Sequence, residues 1–154
     1  MNILLTNDDG YQSEGLAALS DALVQAGHDV WICAPSTERS ASSHSMTLRG
    51  EIIITEYAKN RYHCSGTPAD CILYASKGRI FPMTPDLVIS GINHGYNIST
   101  DILYSGTVGA AREAALTGLR SMAVSCSRSK DGSFPFRRTA AIVAAPQEHA
   151  PTHT

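Results

Sequence analysis

Residues 2–34 constrain the fold more than any other stretch. "NILLT" at 2–6 is a short apolar run, and "DVWICA" at 29–34 is a second one. Between them Leu16, Leu19, Leu23 and Ala26 recur at spacings of three, four and three, which is one face of a helix closed by Gly27. Strand, helix and strand in so short a span imply a parallel βαβ unit. A chain of 154 residues has room for one domain with a real core and not for two.

The alternation continues. "EIIITEY" and "RYHCS", separated by "AKN", read as a β-hairpin, expected as an excursion from the parallel core. In "GTPADCILYAS", Thr67 can cap a helix with Pro68 at its first position. "DLVIS" at 86–90 and "SMAVSC" at 121–126 are further strands, and they flank an Ala-rich helix of about 107–117, expected to be capped by Thr107 and ended by Gly118. The expectation is an α/β fold with a mainly parallel sheet covered on both faces. The domain is expected over residues 1–140. "TAAIVAA" could begin a helix, and residues 141–154 are expected as an atypical, disordered tail.

In open parallel sheets, ligands bind outside the carboxyl ends of the strands. "LLTNDDG" puts Asp8 and Asp9 after the first strand; the Ser-rich loop "PSTERSASSHSMTLRG" carries Ser40 after the second; "GINHG" carries Asn93 after the strand at 86–90. Asn, Asp and Gly also make ordinary turns. Two carboxylates about 4 Å apart, however, repel by roughly 4 kcal/mol at an intermediate dielectric, which protonation, solvent or a cation must relieve, a divalent metal being the economical answer. Two carboxylates, a hydroxyl and an amide carbonyl are hard oxygen ligands that suit Mg²⁺ or Mn²⁺. "SGT", Ser105, Gly106 and Thr107, enters the Ala-rich helix, where free amides and the helix dipole favour an anion. A metal and an anion holder at one edge point to phosphoryl chemistry.

Other polar residues carry less. Ser40, Ser42, Ser43 and Ser45 read individually as solvated loop, and His44 and His94 as polar surface unless they serve as phosphate donors or acid/base groups. His149 and His153 lie four apart, but beside Pro151 and without helical pattern, so they are set aside as a metal pair. Twelve basic against fourteen acidic residues leave no basic footprint for nucleic acid. Cys33, Cys64, Cys71 and Cys126 have no C-x-x-C spacing and read as buried thiols of a reducing compartment. With no signal-peptide pattern at the start and no membrane-length apolar run, a cytoplasmic protein without membrane contact is expected. A phosphoacceptor signalling domain also opens with a strand and an acidic pair, but it wants a third Asp and a Lys after later strands, and neither is present.

Taken together, "ILLTNDDG", "APSTERSASSHS", "SGTPADC", "SGINHG" and "LYSGTVGAAREA" resemble the SurE family of survival-protein nucleotidases over about residues 1–126. The resemblance implies a Rossmann-like three-layer α/β fold and a metal-dependent phosphatase acting on nucleoside 5′- and 3′-monophosphates. It implies one divalent metal ion (Mg²⁺ or Mn²⁺) held by Asp8, Asp9, Ser40 and Asn93, with Asp8 and Asp9 also catalytic, and the phosphate at Ser105, Gly106 and Thr107. It further implies a homo-oligomer. Family members continue well beyond this length, so the C-terminal part of the family fold is expected to be missing; the alternative function is a protein that binds metal and nucleotide without turnover.

Overall fold

The computed structural model describes residues 1–77 and 80–145. In chain order the elements are β1 (Asn2–Thr6), α1 (Glu14–Gln25), β2 (Asp29–Pro35), β3 (Ile54–Ala58), β4 (Arg61–Cys64), α2 (Pro68–Lys77), β5 (Leu87–His94), α3 (Asp101–Tyr104), α4 (Gly106–Leu116), β6 (Ser121–Cys126) and α5 (Phe136–Ala144). The strands form one sheet in the order β3-β4-β2-β1-β5-β6, parallel throughout except for β3 against β4.

Alternation along the strands sorts the core into two layers. Ile3, Leu5, Ile32 and Ile89 face α1 and α5, packing with Leu16, Leu19, Leu23 and Phe136. Leu4, Cys33 and Val88 face the other way, onto Cys71 and Ile72 of α2 and Ala110 and Ala114 of α4. A period of two that is apolar on both faces marks a sheet buried on both sides. Leu19 is fully buried, and its burial contributes about 2 kcal/mol. The expected mainly parallel α/β fold is therefore the observed one.

Four local differences have physical causes. The hairpin joins the sheet instead of leaving it: β4 pairs in parallel with β2, Cys33 opposite Tyr62 and Pro35 opposite Cys64, and only β3 runs antiparallel at the edge. Apolar Tyr62 and Cys64 pack with the α2 layer, a tertiary demand the hairpin sequence does not announce. The third core strand runs past Ser90 to His94, because a register shift between Ser90 and Asn93 carries it on alongside β6; Asn93 thus ends a strand and does not sit in a loop. The cap of α4 is Ser105, whose Oγ accepts from the Val108 amide at 3.1 Å, and not Thr107. The last helix starts at Phe136, three residues before "TAAIVAA", because the Phe136 side chain is buried against α1 and β5 residues. That helix includes residues 141–144, so these belong to the helical layer and not to a tail. His149 and His153 lie outside the described residues.

From β1 the chain moves by way of α1 to β2 on one side, and after α2 it returns to β5 on β1's other side. The order therefore reverses between β1 and β5, and a crevice opens outside their carboxyl ends.

Candidate active site

The turn after β1 is built by Asn7. This side chain is fully buried; its Nδ2 donates to the Gly10 carbonyl at 2.9 Å and to Ser13 Oγ at 2.7 Å, while its Oδ1 accepts from the Gly10 amide at 3.2 Å. Ser13 Oγ in turn accepts from the Leu16 amide and caps α1. Gly10 closes the turn at φ +99°, a backbone state that costs other residues strain. Asp8 and Asp9 are thereby held rigidly at the mouth of the crevice.

The two carboxylates have different surroundings. Asp8 is 5 % exposed, and its Oδ1 accepts from Thr107 Oγ1 at 2.5 Å at the start of α4. Burial pushes its carboxyl above the ordinary value, the Thr107 hydroxyl pulls it back, and the charge of Asp9 raises it again. Asp9 Oδ1 lies 3.0 Å from His94 Nδ1. Its other oxygen, Oδ2, is buried without a hydrogen-bond partner.

The neighbouring loops converge here. The Arg39 amide donates to the Asp8 carbonyl at 2.7 Å, which brings the chain around Ser40 to the acidic pair. Ser40 itself is exposed, and its hydroxyl donates to Glu38 Oε1 at 2.6 Å. At the end of β5, Asn93 Nδ2 donates to the Gly95 carbonyl at 3.0 Å, leaving the amide oxygen as its free end. His94, next along, is held on Asp9 and meets Phe134 and Phe136 edge-on, each ring 4.9 Å away. An open cleft of about 550 Å³ runs from Asp9 and His94 past Gly10 and Tyr11 to Ser36 and Glu38.

Buried polar side-chain atoms are almost always paired. Among the described residues four are not: Thr6 Oγ1, Asp9 Oδ2, Ser42 Oγ and Ser90 Oγ. Thr6 and Ser90 are register partners on β1 and β5. Thr6 ends β1, Asp9 lies in the turn after it, Ser90 sits midway along β5 beside Thr6, and Ser42 lies in the loop after β2. This concentration is the pattern of a site built to receive something. Among the described residues no cluster of three or more His, Cys, Asp or Glu could hold a metal ion. A cation at Asp8 and Asp9 would accordingly complete its shell with hydroxyl, amide and solvent oxygens, and the unpaired Asp9 Oδ2 fits that role.

The model of the family described as "Survival protein SurE" matches residues 3–152. The chain belongs to the SurE family. It is 52 % identical over 128 residues to a protein named 5′-nucleotidase SurE from Desulfitobacterium hafniense (strain DSM 10664 / DCB-2), with 81 % of this chain and 51 % of that protein covered. A 5′-nucleotidase SurE from Sorangium cellulosum (strain So ce56) is 50 % identical over 125 residues, with 80 % and 48 % covered. The crystal structure of the SurE protein from Aquifex aeolicus superposes with a TM-score of 0.86 at 36 % identity, covering 94 % of this chain and 57 % of that one. The chain thus spans about half the length of the SurE relatives it matches. That SurE fold agrees with the Rossmann-like architecture implied by the five motifs.

Several residues gathered at this edge of the SurE fold were not legible as such. His94 and His44 read as polar surface, yet His94 holds Asp9, and His44 Nε2 meets Glu113 Oε2 at 2.7 Å. Ser42 read as solvated, yet its Oγ is buried. One available signal was the pair Gly106 and Gly109: glycines three apart on a helix let another segment lie against its backbone, and here that segment is 42–44.

Proposed function

We propose that the chain is a metal-dependent phosphatase hydrolysing nucleoside 5′- and 3′-monophosphates to nucleoside and phosphate. In this reading Asp8, Asp9, Ser40 and Asn93 hold one Mg²⁺ or Mn²⁺, and Ser105, Gly106 and Thr107 receive the phosphate. The observation that carries it is the unpaired, buried Asp9 Oδ2 beside an Asp8 that is itself bonded to the first turn of α4. The names of the relatives, 5′-nucleotidase SurE, support the substrate class.

A divalent cation bound at the pair would supply neutralisation of charge gathering on the phosphoryl oxygens. This chain's residues do the rest. Asn7 shapes the acidic turn and Thr107 orients Asp8; first-turn amides of α4, which have no helical acceptor, face the phosphate; and a carboxylate of the pair accepts the proton of the water that attacks phosphorus in line with the leaving ribose oxygen, which takes a proton from solvent as it departs. Ser40, whose hydroxyl is bonded to Glu38, would give up that bond to help hold the cation. Asp9→Asn should abolish turnover in a folded protein, and wild-type-like activity in that variant would contradict the assignment.

The four cysteines are free and buried, which supports a reducing, cytoplasmic setting. Among the described residues no helix is long and apolar enough to cross a membrane. Association with copies of itself belongs to the same reading, as does the absence of nucleic-acid partners. The deciding assay is phosphate release from 5′-AMP and 3′-AMP with Mn²⁺ or Mg²⁺, with and without chelator. Chelator-sensitive release is expected. Nucleotide binding without turnover in a folded sample would favour the non-catalytic alternative.

A further inference from the structure

Ser42 sits where no role has been assigned to it. Its Oγ is buried and bonded to nothing, although it lies against the first turn of α4: a Cβ added to Gly106 would collide with Ser42 Oγ and come within 2.8 Å of Asp8 Cβ. A hydroxyl so placed, beside a helix N-terminus and a carboxylate, lacks an acceptor.

The surrounding chain is built to keep it there. The Ser43 amide donates to the Tyr104 carbonyl at 2.9 Å, and Ser43 Oγ donates to the Leu103 carbonyl at 2.7 Å. His44 is tied to Glu113 of α4, and Gly109 leaves room for the Ser43 carbonyl against the helix. Ala41 and Ser43, on either side, take left-handed φ angles of 55° and 54°. Such conformations cost about 1 kcal/mol or more apiece in residues with a Cβ and collect at functional sites. The hydroxyls of Thr6 and Ser90, register partners on β1 and β5, are likewise buried and unpaired. They share a sheet face with Leu4 and Val88, two residues earlier on each strand, which pack on Ala110 and Ala114 of α4. Three buried hydroxyls without partners therefore lie on the α4 side of the sheet, and Ser42 is the one set against the helix start.

We propose that Ser42 is a substrate-binding residue whose hydroxyl donates to a non-bridging oxygen of the phosphoryl group seated at the first turn of α4. Gly106 is required because any side chain there would fill the space between Ser42 and Asp8. The inference rests on the phosphatase reading for the identity of its ligand, a phosphomonoester or inorganic phosphate.

The test is binding of inorganic phosphate in the presence of Mn²⁺, followed by ³¹P NMR, for wild type and Ser42→Ala, with Mn²⁺ affinity measured separately by electron paramagnetic resonance. Loss of one hydrogen bond to a charged group predicts a fall in phosphate affinity of about tenfold or more, with Mn²⁺ affinity changed less than about twofold. If Ser42→Ala melts early, Ser42→Cys, nearly the same size with a weak donor, carries the comparison. Unchanged phosphate affinity overturns the inference; so does a parallel loss of Mn²⁺ affinity, which would make Ser42 a cation ligand, and so does a wild-type chain that binds no phosphate. Wild-type turnover is scored independently. Turnover with unaltered phosphate binding in Ser42→Ala rejects Ser42 alone, and phosphate binding lost in the variant without any wild-type turnover rejects the phosphatase reading alone.

Discussion

Asp70 and the Asp8–Asp9 pair stand on the same molecule in opposite conditions. Asp70, at the start of α2, is 1 % exposed and accepts from the Thr67 amide at 2.9 Å, from Thr47 Oγ1 at 2.6 Å and, with both oxygens, from the Thr47 amide at 3.1 Å. Thr67 Oγ1 accepts from the Asp70 amide in return, a reciprocal cap that anchors the long loop to the helix. The Asp8–Asp9 pair has one short bond to Thr107, one contact to His94, mutual repulsion and an oxygen with no partner. A charge kept for structure is satisfied by the protein itself. The Asp8–Asp9 charge, kept for chemistry in the proposed function, is left partly unsatisfied.

The largest effect that could break this comparison is on activity. Asp9→Asn should lower turnover by about a hundredfold or more while the thermal midpoint stays at or above that of wild type, since a repulsive charge has gone. A clear loss of stability together with retained activity would place Asp9 in Asp70's class. Asp70→Ala should do the reverse. It removes the acceptor for Thr47 and Thr67 and is expected to cost about 2–3 kcal/mol in urea unfolding, with the metal affinity of the folded fraction kept.

Adding the cation should act only on the acidic pair. Mn²⁺ at about a hundredfold over its dissociation constant is worth about 2.7 kcal/mol and should raise the wild-type midpoint by roughly 5–10 °C, an increase absent from Asp8→Asn and reversed by chelator. Without metal, the sign inverts. Burial raises the folded-state pKa of Asp8 above its ordinary 3.8, so the folded state binds that proton more tightly than the unfolded chain does. The resulting stability is complete below about pH 3.8 and lost as pH rises through the raised value. Asp8→Asn should then be the more stable protein near pH 7, with the gap closing toward about pH 3.5; denaturant unfolding across that range checks it. The smallest effect is at the margin of the site. His44→Gln removes a partly buried pair with Glu113 and should cost about 1 kcal/mol or less.

The sequence announced most of the scaffold and the first half of the site. Alternating strands and a leucine period of three and four are local patterns, and the structure keeps them in β1, α1, β2 and α4. Asp8, Asp9 and Asn93 could be assigned to one edge because strand order alone determines which loops share it. What escaped was decided by contacts between distant segments. Ser105 and Thr107 can each cap a helix, and the choice falls to Ser105 only because Thr107 is occupied by Asp8, ninety-nine residues away in sequence. Ser42 and His44 look like any polar loop until Gly106 and Gly109 are seen to admit the loop against α4. His94 gains its position from Asp9 on one side and from Phe134 and Phe136 on the other, two rings at and just before the start of α5.

The central claim is that the unsatisfied carboxylate pair is a cation site. Titration of the wild-type chain and Asp9→Asn with Mn²⁺, read by electron paramagnetic resonance, tests it most directly. The account predicts one Mn²⁺ site in the wild type and its loss, or a weakening of about tenfold or more, in the variant. Equal Mn²⁺ binding by both proteins would contradict it.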